Sequence, residues 1–206
     1  MPDDSDPSIA SKCPPRAEEH QRAIVGAIVA VFSLPKPSFE ALGQGGSRVL
    51  EKLVRSYHYW ASEYPPTGVC PYDRLHLNYF RMTPSAYDAT PAVKLHCEHA
   101  VPIQVLVREL CDRRKAHAGN VSIGDVEFVM AANEIVVVTA EEARRLNTKG
   151  GLSAGDVRSY RQSMPACWKF GDDPLARIHL ICEQPLEGYR LIGPENQDDL
   201  YRKFEA

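Results

Sequence analysis

Residues 133–139 read NEIVVVT and residues 140–147 read AEEARRLN, and these two stretches decide the fold. One isoleucine and three valines in succession are typical of a β-strand that is buried in a sheet. Thr139 and Glu142 stand three residues apart, in the spacing of a capping box, so a helix should begin directly after the strand. We therefore predict that Glu134–Thr139 is the central strand of a small sheet.

Helical patterns lie on both sides of this strand. Apolar side chains recur at three- and four-residue steps within residues 18–32 and 47–63, which indicates two amphipathic helices. Ser47 can cap the second of these helices, Thr83 before Pro84 can cap a short helical turn, and Ser122 can cap a further helix. Pro102 favours the start of another helix. A last helix is expected after Gly171, and Leu95 is expected on a strand that pairs with the central one. The pattern predicts a mainly helical α+β domain.

The chain divides into three parts by composition. Residues 1–16 are rich in proline, serine and acidic side chains, and we expect a disordered lead-in. Residues 17–93 form a helical N-terminal part that ends in a proline-rich connection. Residues 94–206 carry the candidate chemistry.

Charge and cysteine content exclude several classes of protein. The net charge is −3 over 206 residues, so no overall basic field would draw the chain onto nucleic acid or membranes. The six cysteines form no Cys-x-x-Cys pair, which argues against zinc knuckles and redox dithiols. The acidic start lacks a signal-peptide pattern, and the longest apolar run, residues 23–34, is shorter than the roughly 20 residues that span a bilayer. We expect a cytoplasmic protein with no membrane contact.

Residues 96–99, HCEH, concentrate two imidazoles, a thiol and a carboxylate. One interpretation is an exposed turn, with Glu98 and His99 near the start of a helix for electrostatic reasons. A zinc deaminase would open with His-x-Glu, as His96 and Glu98 do, but the later Pro-Cys-x-x-Cys is absent from the sequence. A zincin needs His-Glu-x-x-His on one helix face, which this spacing does not provide.

Phosphodiester hydrolysis fits the cluster better. The reaction needs a nucleophilic water and a divalent cation that stabilises charge on the phosphate. An acidic residue followed by histidine at a strand end offers a ligand for the ion and a base for the water, because neighbouring side chains diverge there. Residues 98–102, EHAVP, resemble the Asp/Glu-His-x-x-Pro opening of HNH endonucleases. Residues 133–147 resemble that family's second half, where an asparagine precedes an apolar strand and a helix ends in a metal-binding His or Asn.

The resemblance covers residues 95–147 and implies a small β-hairpin within a ββα-metal-like core. It implies that His99 is the general base and that Glu98 binds the metal. Asn147 would complete the ligand set from the helix. Asn133 would brace its loop and orient the His99 ring.

The implied cofactor is a divalent ion, and a Glu/Asn/His set suits magnesium, manganese or zinc. The implied partner is nucleic acid, in the first place DNA, and Arg144 and Arg145 are candidates for contacts to its phosphates. The sequence departs from the family in two respects. The segment between His99 and Asn133 is long and helical in pattern, and the cysteine pairs that bind zinc in many members are missing.

Two other interpretations stay open. Cys97 and His99 would share one face of a strand, which allows a Cys–His nucleophile, although no oxyanion motif accompanies it. The chain could also be a non-catalytic interaction module of a larger nucleic-acid-associated or phage-related complex.

Overall fold

The computed structural model describes residues 15–42, 46–58, 80–90, 92–146 and 164–182. The elements, labelled in chain order, are α1 (Pro15–Phe32), α2 (Lys36–Ala41), α3 (Ser47–Ser56), β1 (Arg81–Met82), α4 (Pro84–Tyr87), β2 (Leu95–His99), α5 (Ile103–Ala116), α6 (Ile123–Met130), β3 (Ile135–Thr139), α7 (Ala140–Arg145) and α8 (Ala176–His179). Helices predominate beside one small sheet, so the described part of the chain is α+β, as predicted.

The sheet has the order β1-β3-β2 within the described residues. The valine-rich strand β3 lies in the centre, parallel to β1 and antiparallel to β2, which confirms both strand predictions. In the β2–β3 register Glu98 is opposite Val136 and His99 is opposite Ile135. Since directly opposed residues share a face of the sheet, Glu98 and His99 begin on opposite faces.

The helices and the sheet enclose separate apolar clusters. The largest joins helices α1, α3, α5 and α6, and its fully buried members include Ile28, Leu50, Val54, Leu106, Leu110, Val126 and Val129. One sheet face, with Val136 and Val138, packs against α7 and α8. The other face, with Ile135 and Val137, packs against Phe80 and Met82. The helical cluster draws on residues from both sides of position 93, so the N-terminal helices and the second part share one core.

Side-chain caps explain where several elements begin. Thr139 and Glu142 form the expected capping box at the start of α7. The Glu142 carboxylate is 1% exposed and also accepts a hydrogen bond from Thr83 Oγ1 at 2.7 Å. Thr83 in turn caps α4 by accepting from the backbone N–H of Ala86. One buried carboxylate therefore ties the end of β3 to the segment that follows β1.

Several boundaries differ from the sequence prediction. Helix α3, expected over residues 47–63, ends at Ser56. Helix α1 begins at Pro15, inside the expected lead-in, of which residues 1–14 lie outside the described part. The N-cap of α3 is Gly46, with a φ of 77°, where Ser47 was the expected cap. The last helix, α8, is limited to four residues. Among the described residues, no helix combines the length and the apolar character needed to cross a bilayer.

Candidate functional site

The HCEH cluster is an edge strand of the sheet. Residues 95–99 form β2, so the interpretation of the cluster as a surface turn is wrong. The chain leaves the strand at Ala100, whose backbone N–H donates to Glu134 O at 2.7 Å, and α5 starts after Pro102. The end of β2 therefore lies at the junction between the sheet and the helical cluster.

A cleft of about 330 Å³ opens at this junction. Its lining residues are Arg55, Cys97, Glu98, His99, Pro102, Ile103, Gln104 and Arg177. Although Glu98 and His99 belong to opposite faces of the sheet, both reach the cleft because it wraps around the strand end. The cleft thus collects a carboxylate, an imidazole, a thiol and two guanidinium groups.

Asn133 holds the His99 ring from inside the protein. Its side chain is almost fully buried, and its Oδ1 lies 3.0 Å from His99 Nδ1. Its Nδ2 donates to the carbonyl of Val54 at 3.0 Å. Since a carbonyl can only accept, the amide nitrogen must face Val54, and Oδ1 must then accept from His99. The proton of a neutral His99 therefore lies on Nδ1, which leaves the lone pair of Nε2 available.

The environment keeps this ring neutral. The pKa of His99 is lowered to about 3, mainly by burial and also by the charges of His58, Arg55 and Arg177, while the hydrogen bond to Asn133 opposes the shift. The ring is consequently unprotonated at neutral and mildly acidic pH. A neutral imidazole with a fixed tautomer can accept a proton, although so low a pKa makes it a weak base.

A second histidine supports Asn133 from its main chain. His58 donates through Nε2 to the carbonyl oxygen of Asn133, and its ring centroid lies 6.4 Å from that of His99. Burial lowers the pKa of His58 to about 4. Asn133 is thereby engaged at its side chain by His99 and at its backbone by His58.

Glu98 has a charged partner in the cleft. Nη2 of Arg177 lies 3.6 Å from its carboxylate, and the Glu98 side chain remains 30% exposed. Arg177 also donates through Nε to the carbonyl of Ala100 at 2.8 Å and through Nη2 to the carbonyl of His99. Burial lowers the pKa of Arg177 to about 10, against the opposing effect of Glu98, so the guanidinium stays charged at neutral pH.

Of the other predicted site residues, Arg144 and Arg145 are described by the structure and do not line the cleft. Asn147 lies outside the described residues. Arg144 is exposed and donates to Glu141 at 2.7 Å. Arg145 donates to the carbonyl of Ile181 at 3.0 Å. Both arginines have partners within the protein, and their contact with a substrate stays a prediction.

The donor set for a divalent ion is incomplete in the described part of the chain. No group of three or more His, Cys, Asp or Glu side chains there could hold a metal ion. Glu98 is the carboxylate that lines the cleft, and its side chain is 30% exposed beside Arg177. Glu98 therefore fits the role of one ligand, and further ligands would have to join it.

Sequence reasoning missed three residues of the site. Arg55 and His58 were assigned to an ordinary amphipathic helix, and Arg177 to a terminal helix. A weak signal existed for Arg177, since a charged side chain stands there within the apolar run LARIHLIC at residues 175–182. Nothing local to any of the three indicated that they meet the end of β2.

No family model, no curated protein and no solved structure matches this chain.

Proposed function

We propose that this protein hydrolyses phosphodiester bonds of nucleic acid, in the manner of the HNH endonucleases that its sequence resembles. His99 is the general base, Asn133 orients it, and Glu98 binds a divalent ion. Within nucleic acids, the substrate that we propose is DNA.

The observation that carries the proposal is the hydrogen bond between Asn133 and His99. It uses Nδ1 of the ring as the donor, so the lone pair that remains belongs to Nε2. His99 also lines the cleft. A histidine held in one neutral tautomer beside an open cleft is suited to take a proton from an attacking water.

The order of the elements also supports the proposal. Strands β2 and β3 are antiparallel, and α7 follows β3 without an intervening loop. Glu98 and His99 end the first strand, and Asn133 precedes the second. The same order is expected of the ββα-metal core that we propose, here with helices α5 and α6 between the two strands.

The charges of the cleft suit a phosphate. Arg55 lines it with a side chain that is 48% exposed, and guanidinium groups bind phosphate oxygens well. Glu98 would hold a divalent ion, which supplies charge stabilisation at the phosphate when bound. The ion would have to share the Glu98 carboxylate with Arg177.

The test is cleavage of plasmid and single-stranded DNA with magnesium or manganese, alongside thermal unfolding of each variant. His99→Ala should lower the rate by about 10²- to 10⁴-fold, the usual effect of losing a positioned base. Glu98→Ala should lower both the rate and the affinity for manganese. His96→Ala is the matched control, because His96 lies on the same strand but does not line the cleft; its rate should equal that of the wild type.

A wild type that cleaves nothing with any divalent ion would refute the proposal and leave the non-catalytic interaction module as the explanation. Equal rates for His99→Ala and His96→Ala would also refute it.

A further inference from the structure

Arg177 is the most completely buried charged side chain near the cleft. It is 1% exposed and comes from α8, 78 residues after His99 along the chain. Its guanidinium donates to the main-chain carbonyls of His99 and Ala100 and lies beside the Glu98 carboxylate. Three consecutive residues at the end of β2 thus contact one guanidinium.

We propose that Arg177 is a positioning residue that holds the backbone of His99 and the side chain of Glu98 in their places in the cleft. The inference rests on the proposed function, since it assigns Arg177 to the same site. Arg177 does not act on the substrate itself in this role.

The chemistry of the side chain supports this role. Removing a cation from water is unfavourable unless hydrogen bonds and an opposite charge compensate, and an apolar side chain would fill the same space without that cost. A guanidinium offers several N–H groups in one rigid plane, so it can bind two carbonyls and a carboxylate together. A lysine ammonium is a point charge on a flexible stem and cannot reproduce this arrangement.

Residues 99–100 make contacts with two other parts of the protein. The Ala100 N–H donates to Glu134 O, while the Ala100 carbonyl accepts from Arg177. The His99 ring donates to Asn133, while the His99 carbonyl accepts from Arg177. Residues 99–100 are therefore held on one side by the residues before β3 and on the other by α8. Functional groups must be held to within about half an ångström to work, and contacts of this kind provide that precision.

The first test uses NMR on the wild type and does not depend on cleavage. The Arg177 Nε–H should exchange slowly with solvent and show a coupling across its hydrogen bond to the Ala100 carbonyl. The ring nitrogens of His99 should show a proton on Nδ1 and none on Nε2 at pH 7. A rapidly exchanging Arg177 Nε–H would overturn the proposal whether or not any variant folds.

The second test compares Arg177→Lys with Arg114→Lys. Arg114 also donates to a main-chain carbonyl, that of Leu34 at 3.1 Å, but it lies on α5 and does not line the cleft. In Arg177→Lys the ring nitrogens of His99 should report a mixture of tautomers, and kcat should fall by about 10- to 100-fold with little change in KM, as for other partners that orient a functional group. Arg114→Lys should leave both unchanged.

The two proposals fail in different ways. If Arg177→Lys keeps the His99 tautomer and the wild-type kcat while only its stability falls, Arg177 is structural and this inference is wrong. If the wild type never cleaves but the tautomer shifts in Arg177→Lys, the positioning is supported and the nuclease proposal is wrong.

Discussion

Two buried imidazoles should make the stability of this protein depend on pH. Burial lowers the pKa of His58 to about 4 and that of His99 to about 3. In the unfolded chain each ring has its ordinary pKa of about 6.5. The folded protein therefore holds both rings neutral at a pH where the unfolded chain already binds protons.

The direction in which the free energy of unfolding changes with pH follows from proton linkage. For a histidine whose pKa is depressed by folding, the free energy of unfolding is greatest above the unfolded pKa. It decreases as the pH falls below about 6.5, and it stops decreasing once the folded-state pKa is reached. Between pH 7 and pH 5 each ring should reduce the free energy of unfolding by about 2 kcal/mol. Together the two rings should lower the free energy of unfolding by about 2–4 kcal/mol. The lower end of this range is below the sum of the two effects because both rings retain some exposure and interact with each other.

The assay is urea unfolding at pH 7 and pH 5. His58→Gln keeps an amide N–H that can donate to the Asn133 carbonyl but does not titrate, so its loss of stability between the two pH values should be about half that of the wild type. His117→Gln is the control, since it removes a more exposed histidine at the end of α5. Equal free energies of unfolding for the wild type at both pH values would refute the assignment of neutral, buried rings. A loss in His58→Gln as large as that in the wild type would refute the assignment for His58.

Three further substitutions test the fold. Glu142→Gln should lower the free energy of unfolding by about 1–3 kcal/mol, because the buried donors of Thr83 and Thr139 lose a charged acceptor; a wild-type urea midpoint would show that the carboxylate is dispensable. Gly46→Ala should cost more than about 1 kcal/mol, since φ is 77° and a Cβ would lie 2.4 Å from the Phe39 ring; calorimetry with an unchanged Tm would contradict this. Leu50→Ala should cost about 2–5 kcal/mol in urea unfolding, as for other fully buried leucines, and a smaller change would mean that the helical cluster is loosely packed.

The sequence by itself determined the elements whose signals are local. A run of β-branched residues specified β3 because such side chains fit a pleated, buried surface. The caps at Thr83, Ser122 and Thr139 could be predicted from the sequence, because a capping interaction joins residues only about three positions apart. Pro102 marked the start of α5 for a similar reason, since its fixed φ suits the beginning of a helix. The same local reasoning failed at Ser47, because the backbone turns into α3 one residue earlier, at Gly46.

Only the tertiary structure decided which side chains meet at the cleft. Helical periodicity indicated that the face of α3 near His58 is buried, but it carries no information on which strand or loop covers that face. His58 contacts the backbone of Asn133 from 75 residues away, and Arg177 contacts His99 from 78 residues away. Contacts of that separation depend on how all the helices pack around the sheet, and no local pattern encodes them. The sequence indicated Glu98 and His99 as a possible metal ligand and general base, and the family resemblance implied Asn133 as the partner of the His99 ring. The contacts that Arg177 and His58 make at this site follow only from the tertiary structure.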